Sequence, residues 1–514
     1  VIGAAARAVY RVALSTKEGR PMKSPNIHPI GASGGLGRAL ALVLALALGS
    51  LCSSAMALPQ FARQTGQNCV ACHAGGQFPE LTPYGRLFKL TAYTIGERTL
   101  PLSVMAVIAN SRVADTTKSD DRKADFQLNG QTILATGSLF LAGKVTDNIG
   151  AFTQITYDAY ASQSADGSFH GHSNADNIDL RYADRFINDK RDLIYGLSAN
   201  NNPSISDPWN TAAAWMQYVP VPSPTSSRFI DGSAPYHGFA AGGNIAGLTA
   251  YAFLNKTFYV EMGGYGTSKG VASFMSTGLD DASTTKLKGV NPYWRLAWNR
   301  EWGAHNLMIG TSGMNARIYD DPLNTSDPAS IHRHQDRQID AQYQYLLDPH
   351  SVTAQFAYGR NQHRYPALLA NQASPFVDAA GNALPNTNSQ DRTNTLRAKL
   401  TYVYGAKYGG SLGFFNLTGT TNTANQTSGF DPAQGITSDP GAGAPSSRVG
   451  GNLSGNPATR GLTLETFWLP VQNVRIGAQY TLYTLYNGAA RNYDGFGRNA
   501  RDNNSLFVYL WAAF

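Results

Sequence analysis

From about residue 100 onward the chain never settles into helical periodicity. It runs in stretches of ten to fifteen residues in which apolar and polar positions alternate, separated by turn-rich segments. A period of two forces each stretch to be a strand with two unlike faces. In Val474 to Tyr486, for example, Ile476, Ala478, Tyr480, Leu482 and Thr484 oppose Arg475, Gly477, Gln479, Thr481 and Tyr483. Phe239 to Leu248, Tyr293 to Trp302, Ile339 to Leu346 and Leu396 to Tyr404 repeat the pattern. These runs exceed the roughly five or six residues of a strand in a globular sheet. They match the roughly nine to eleven residues that cross a membrane at a tilt.

The alternation places strands at 100–112, 125–145, 149–161, 177–188, 191–202, 236–248, 249–262 and 290–302. The second half gives 305–318, 335–347, 351–364, 392–406, 408–421, 459–469, 473–487 and 504–514. Sixteen is an even number, as bacterial outer-membrane barrels require. Connections alternate between short turns (Thr146-Asp147-Asn148, Asp189-Lys190, Gly303-Ala304, Asp348-Pro349-His350, Pro470-Val471-Gln472) and long loops such as 263–289, 319–334, 365–391 and 422–458. Short periplasmic turns and long external loops are the habit of such barrels. The expected fold is therefore all-β, a transmembrane outer-membrane β-barrel of about 16 strands. The first connection, 113–124, is long and so external, which brings residues 58–99 in from the periplasmic side. The last strand puts Leu506, Val508, Leu510, Ala512 and Phe514 on one face, with a closing aromatic.

Composition removes the main competitors. Charged residues are 15%, below the roughly 25% of soluble proteins, and a mean hydropathy of −0.26 argues against a bundle of membrane helices. The net charge of +7 suggests a nucleic-acid partner only until it is located: six cations against Glu18 leave +5 in residues 1–57, so +2 belongs to the rest. No nucleic acid is expected as a partner.

The long apolar run Ala39–Leu48 follows Arg38 and precedes Ala55-Met56-Ala57. That order reads as a secretory signal cleaved after Ala57, with residues 1–21 an upstream extension before Met22. The division is then 1–57 extension and signal, 58–99 a small segment, and 100–514 the barrel. Cys52 falls inside the signal, which leaves Cys69 and Cys72, followed at once by His73. Cys-Val-Ala-Cys-His is the attachment pattern of c-type haem: two thiols for two vinyl groups, then an imidazole for the iron. A disulfide, half of a zinc site or a thioredoxin-like pair are the other readings. Zinc needs further ligands, and the next histidine is His170. A redox pair needs a βαβ context that the alternation does not offer.

Phe61-Ala-Arg-Gln-Thr-Gly66, Cys69 to His73, Phe78-Pro-Glu-Leu-Thr-Pro-Tyr-Gly-Arg86 and Phe88-Lys-Leu90 resemble the outer-membrane monohaem cytochrome c–porin fusions of iron-oxidising bacteria. Within the barrel the resemblance rests on Asp176-Asn-Ile-Asp-Leu-Arg-Tyr182 and on Asn200-Asn-Asn-Pro203 to Asp207-Pro-Trp209. It implies one covalent haem c, oxidation of extracellular Fe(II) or another reductant, and a periplasmic electron acceptor, either a c-type cytochrome or a copper protein. Outer-membrane lipid would surround the barrel. A passive diffusion porin with a structural haem plug is the alternative, and a β-rich soluble haem enzyme the third.

A segment of some forty residues has a radius of gyration of about 9 Å and could sit mid-lumen as a plug. His73 is the expected proximal ligand of the haem iron. Arg63, Arg86 and Lys89 are candidates for the propionates, Arg86 foremost, because a guanidinium forks onto a carboxylate. Of the methionines at 105, 216, 262, 275, 308 and 314, Met105 is nearest in sequence to His73 and is the candidate distal ligand, with His170 or His172 the alternative. The stretch from Asn200 to Pro235 is long enough to fold inward as a constriction. Asp120, Asp121, Asp280, Asp281, Asp320, Asp321, His332, His334 and Asp336 fall in or beside long loops. They read first as solvated charges and second as sites of transient cation capture.

Overall fold

In the computed structural model the described residues are 59–76, 80–114, 130, 132–163, 169–209, 244–276, 286–319, 323–327, 330–365, 373–377, 383–385, 388–422, 429–431, 436–438, 452–493 and 497–514. The expected signal and the Asp120, Asp121, Asp280, Asp281, Asp320, Asp321 and Met216 candidates lie outside them.

Sixteen strands close into one antiparallel barrel in sequence order. They are β1 Leu102–Val113, β2 Thr132–Lys144, β3 Ile149–Gln163, β4 Phe169–Asn188, β5 Arg191–Asn200, β6 Ile245–Leu254, β7 Phe258–Thr267 and β8 Asn291–Trp302. The rest are β9 His305–Tyr319, β10 Ile331–Leu347, β11 His350–Arg364, β12 Gln390–Tyr404, β13 Tyr408–Gly419, β14 Thr459–Val471, β15 Val474–Leu485 and β16 Ser505–Ala513. Closure is made by β1 on β16, from Met105↔Ala513 to Val113↔Ser505.

The two faces of each strand differ as the alternation requires. On β16, Leu506, Val508 and Leu510 are exposed while Phe507, Tyr509 and Trp511 are buried inward. The outer wall is apolar, and Phe186, Phe258, Trp302, Tyr402, Tyr404, Tyr408 and Trp468 stand exposed on it beside the short turns. That aromatic ring on an apolar wall is the girdle of an outer-membrane barrel at a lipid–water interface.

One hairpin differs from the expected one. In place of strands at 236–248 and 249–262, β6 and β7 turn at Asn255-Lys256, with φ of 51° and 53°. Thr257 N–H donates to Leu254 O at 2.9 Å, which closes a turn with two left-handed centres. Asn accepts that conformation without glycine, so no punctuation marked it. β4 and β10 also begin earlier than expected, at 169 and 331.

The N-terminal segment folds into three short helices, α1 Pro59–Thr65, α2 Cys69–Cys72 and α3 Pro83–Leu90. Leu102 pairs with Leu141 near the end of β2, so the segment joins the barrel at its short-turn end. It plugs the lumen there. Phe61 packs edge-on to Phe88 at 4.9 Å and stacks on Tyr93 at 5.6 Å and Phe152 of the wall at 6.3 Å.

Candidate functional site

Cys69 and Cys72 occupy the two ends of one helical turn, a spacing that sets both side chains on the same face. His73 follows in extended conformation, its N–H donating to Cys69 O at 2.8 Å. The loop back to α3 is fastened to this turn. Leu81 pairs with His73 across an isolated bridge, and Thr82 N–H donates to Cys72 O at 2.9 Å. The Thr82 hydroxyl donates to Ala71 O and caps α3 by accepting from Gly85 N–H at 3.1 Å. Pro83 opens the helix, where a missing N–H costs nothing. Gly85 allows the close approach: a Cβ there would stand 2.1 Å from Cys72 O. The Leu-Thr-Pro-Tyr-Gly motif is thus the clamp that holds the cysteine turn.

The cysteine turn lies at the short-turn rim and not mid-lumen, where the plug was expected. Cys69 N–H donates to Gln472 Oε1 at 3.4 Å, in the β14–β15 turn. Gly75 lies against Val403 near the end of β12, and Gly76 near Ala406 in the β12–β13 turn. The cause is the tether: β1 starts at that rim, so the chain before it is anchored there.

The donor set fits a covalent haem c. Both thiols are free of any disulfide. Burial pushes the Cys72 thiol up to about 11, with Cys69 adding to the rise. A redox pair would need the opposite displacement. Burial drives the His73 imidazole down to about 4 against the opposing charge of Glu80, so the ring is neutral, the form in which an imidazole binds iron. His73 is half-buried at this rim. No group of three metal-binding side chains converges on the cysteines among the described residues.

Arg86 is buried and its fork is occupied. It donates to Leu81 O at 2.6 Å, to Gln344 Oε1 at 3.0 Å on β10 and to Asn306 Oδ1 at 2.8 Å on β9. It braces, from behind, the loop that carries His73. Arg63 donates to Leu102 O at 2.6 Å and Lys89 to Asp207 O at 2.8 Å. Two inward cations of the wall are ion-paired, one of them with the segment itself. Lys399 on β12 pairs with Glu80 at 2.5 Å, and Arg475 on β15 pairs with Glu465 at 2.9 Å. Strand alternation places both inward, a signal available in the sequence and passed over.

Met105 points inward and is buried in a cluster with Phe88, Tyr93, Phe507, Tyr509 and Trp511. Met308 and Met314 are also buried, whereas Met262 is exposed. His172 stands sixteen residues from the short-turn end of β4, on the order of 50 Å along the strand. His170 is farther still. Neither reaches His73.

The inward fold of the stretch after Asn200 is present over 201–209, where α4 Pro203–Ser206 leads to a fully buried Trp209. Asp207 pairs with Arg295 at 2.9 Å, and Arg295 also holds Asp340 at 2.8 Å. Asp179 accepts from Arg181 at 2.6 Å, Tyr93 at 2.7 Å and Ser198 at 2.7 Å. Arg181 donates to Ser206 O at 2.7 Å, and Tyr251 to Leu90 O at 2.7 Å. The two barrel motifs singled out in sequence are therefore the lock between plug, inward loop and wall.

No protein-family model matches the chain, and no characterised protein matches its sequence. Among solved structures it is similar to Salmonella typhi OmpF in complex with daunomycin, at 12% identity and TM-score 0.43, over 80% of this chain and 97% of that one. It is also similar to the outer-membrane channel DcaP of Acinetobacter baumannii, at 11% identity and TM-score 0.39, over 80% and 96%. OmpT of Vibrio cholerae follows, at 9% identity and TM-score 0.40, over 80% and 96%.

Proposed function

We propose that this chain is an outer-membrane electron conduit of a Gram-negative bacterium, carrying one haem c on Cys69 and Cys72 with His73 as proximal ligand. The observation that carries the reading is the Cys-Val-Ala-Cys-His turn, clamped by Thr82 and Gly85 inside a closed barrel. Bound haem supplies a one-electron Fe(III)/Fe(II) couple. Cys69 and Cys72 would hold it through thioether bonds and His73 would ligate its iron. Met105 is the proposed second iron ligand, since Met/His ligation would raise the potential toward that of an Fe(II) donor.

The placement of the cysteine turn supports an inward direction. With short turns periplasmic, the cysteine turn faces the periplasm, within reach of a c-type cytochrome or a copper protein. Extracellular Fe(II) meets the lumen at the long-loop end. The barrel holds the segment in the membrane and excludes lipid from it.

Purified protein should show one covalent haem per chain in a pyridine haemochrome spectrum, and stopped-flow mixing with Fe(II) should reduce it. Covalent haem surviving in the Cys69→Ala, Cys72→Ala double variant would overturn the attachment. An intact haem that Fe(II) leaves oxidised from acid to neutral pH would overturn the donor.

A further inference from the structure

Three of the chain's ten histidines meet at the end of the lumen opposite the cysteine turn. We propose that His332, His334 and His363 form a three-imidazole site for a first-row divalent cation at the long-loop mouth. His332 and His334 lie two apart on β10 and so share its inner face. His363 on β11 sits directly across the ladder from His334. One ring nitrogen from each lies within 4.8 Å of the others. His332 Nδ1 is 2.6 Å from His363 Nε2, and the His334 and His363 rings stack at 4.0 Å. A tetrahedral ion with metal–nitrogen bonds near 2.05 Å separates its ligands by about 3.3 Å, between these values, so side-chain rotation suffices.

The surroundings are those of a supported site. Asn361 donates to Asp336 Oδ1 at 2.6 Å and lies 3.5 Å from His334 Nδ1, so a buried carboxylate stands one residue behind the ring. Tyr365 packs on His363 at 4.0 Å and donates to Asp391 at 2.7 Å. Outer-shell partners of this kind fix ring orientation and raise ligand basicity. Both strands are bonded along their length, so the ligands start from a rigid backbone. Imidazole donors favour Zn(II), Cu(II), Ni(II) and Fe(II) over Mg(II) and Ca(II). The site stands independently of the haem reading.

The test is Zn(II) titration of the untagged protein, as isolated from outer membranes in detergent, by calorimetry, with X-ray absorption at the zinc edge. Expected are one saturable site, three imidazoles in the scattering, and at least 30-fold weaker binding in His363→Gln and in His332→Gln/His334→Gln. Circular dichroism and heat-modifiable migration of each variant confirm a closed barrel. Equal Zn(II) affinity in wild type and both folded variants, or zinc without imidazole scattering, would overturn the site. Mg(II) competing at equal concentration would overturn the cation class.

Discussion

At the scale of single residues, the interior is held by charges with no access to water. Arg295 joins Asp207 of the inward loop to Asp340 of β10 with no exposure at any of the three side chains. Removing the cation leaves two buried carboxylates without their counter-ion, a change that costs about 3–5 kcal/mol. Arg295→Met is expected to lower the unfolding midpoint in urea and to raise ion conductance in planar bilayers, because the 201–209 stretch loses its anchor. Unchanged stability and conductance would mean that this pair is not what holds the loop. Met105 makes a second residue-level test. If its sulfur reaches the iron, Met105→Ala should lose the charge-transfer absorption of a thioether ligand and show a lower potential. An unchanged spectrum would leave Met105 as a packing residue of the aromatic cluster alone.

At the scale of elements, the cysteine turn depends on α3 being able to approach it. Gly85→Val places a side chain where Cys72 O already stands 2.1 Å from any Cβ, and backbone cannot yield as a side-chain tip can. Covalent haem per chain should fall several-fold while the barrel still migrates as a folded, heat-modifiable band; full haem loading would refute the clamp. Strand identity was legible because the two faces of each strand meet different media, as with Leu506 against Phe507. The β6–β7 turn was not, since Asn255-Lys256 enters the left-handed region without glycine or proline. His332 and His334 read as loop residues because β10 was expected to start at 335, four residues late. Their partner His363 lies 31 residues from His332, a pairing that only strand register reveals. Arg86 was expected at a haem propionate; its partners Asn306 and Gln344 are more than 200 residues distant, a pairing that only the fold reveals.

At the scale of the molecule, the proposed conduit ties the direction of electron flow to the orientation of the barrel. Asn324 lies exposed in a long connection and Asp147 in a short turn, at opposite ends of the barrel. A membrane-impermeant maleimide applied to intact cells should label Asn324→Cys and spare Asp147→Cys; the reverse would invert the proposed topology. The cysteine turn and the aromatic girdle sit toward the short-turn end, so in the proposed conduit the haem would serve a periplasmic carrier directly and its donor would arrive through the opposite mouth. Liposomes enclosing oxidised cytochrome c, with the haem-loaded protein inserted long loops outward, measure this whole path at once. Fe(II) added outside should reduce the enclosed cytochrome, and the Cys69→Ala, Cys72→Ala variant and empty liposomes should not. Reduction no faster than in empty liposomes, with the haem intact and the orientation verified, would contradict a conduit.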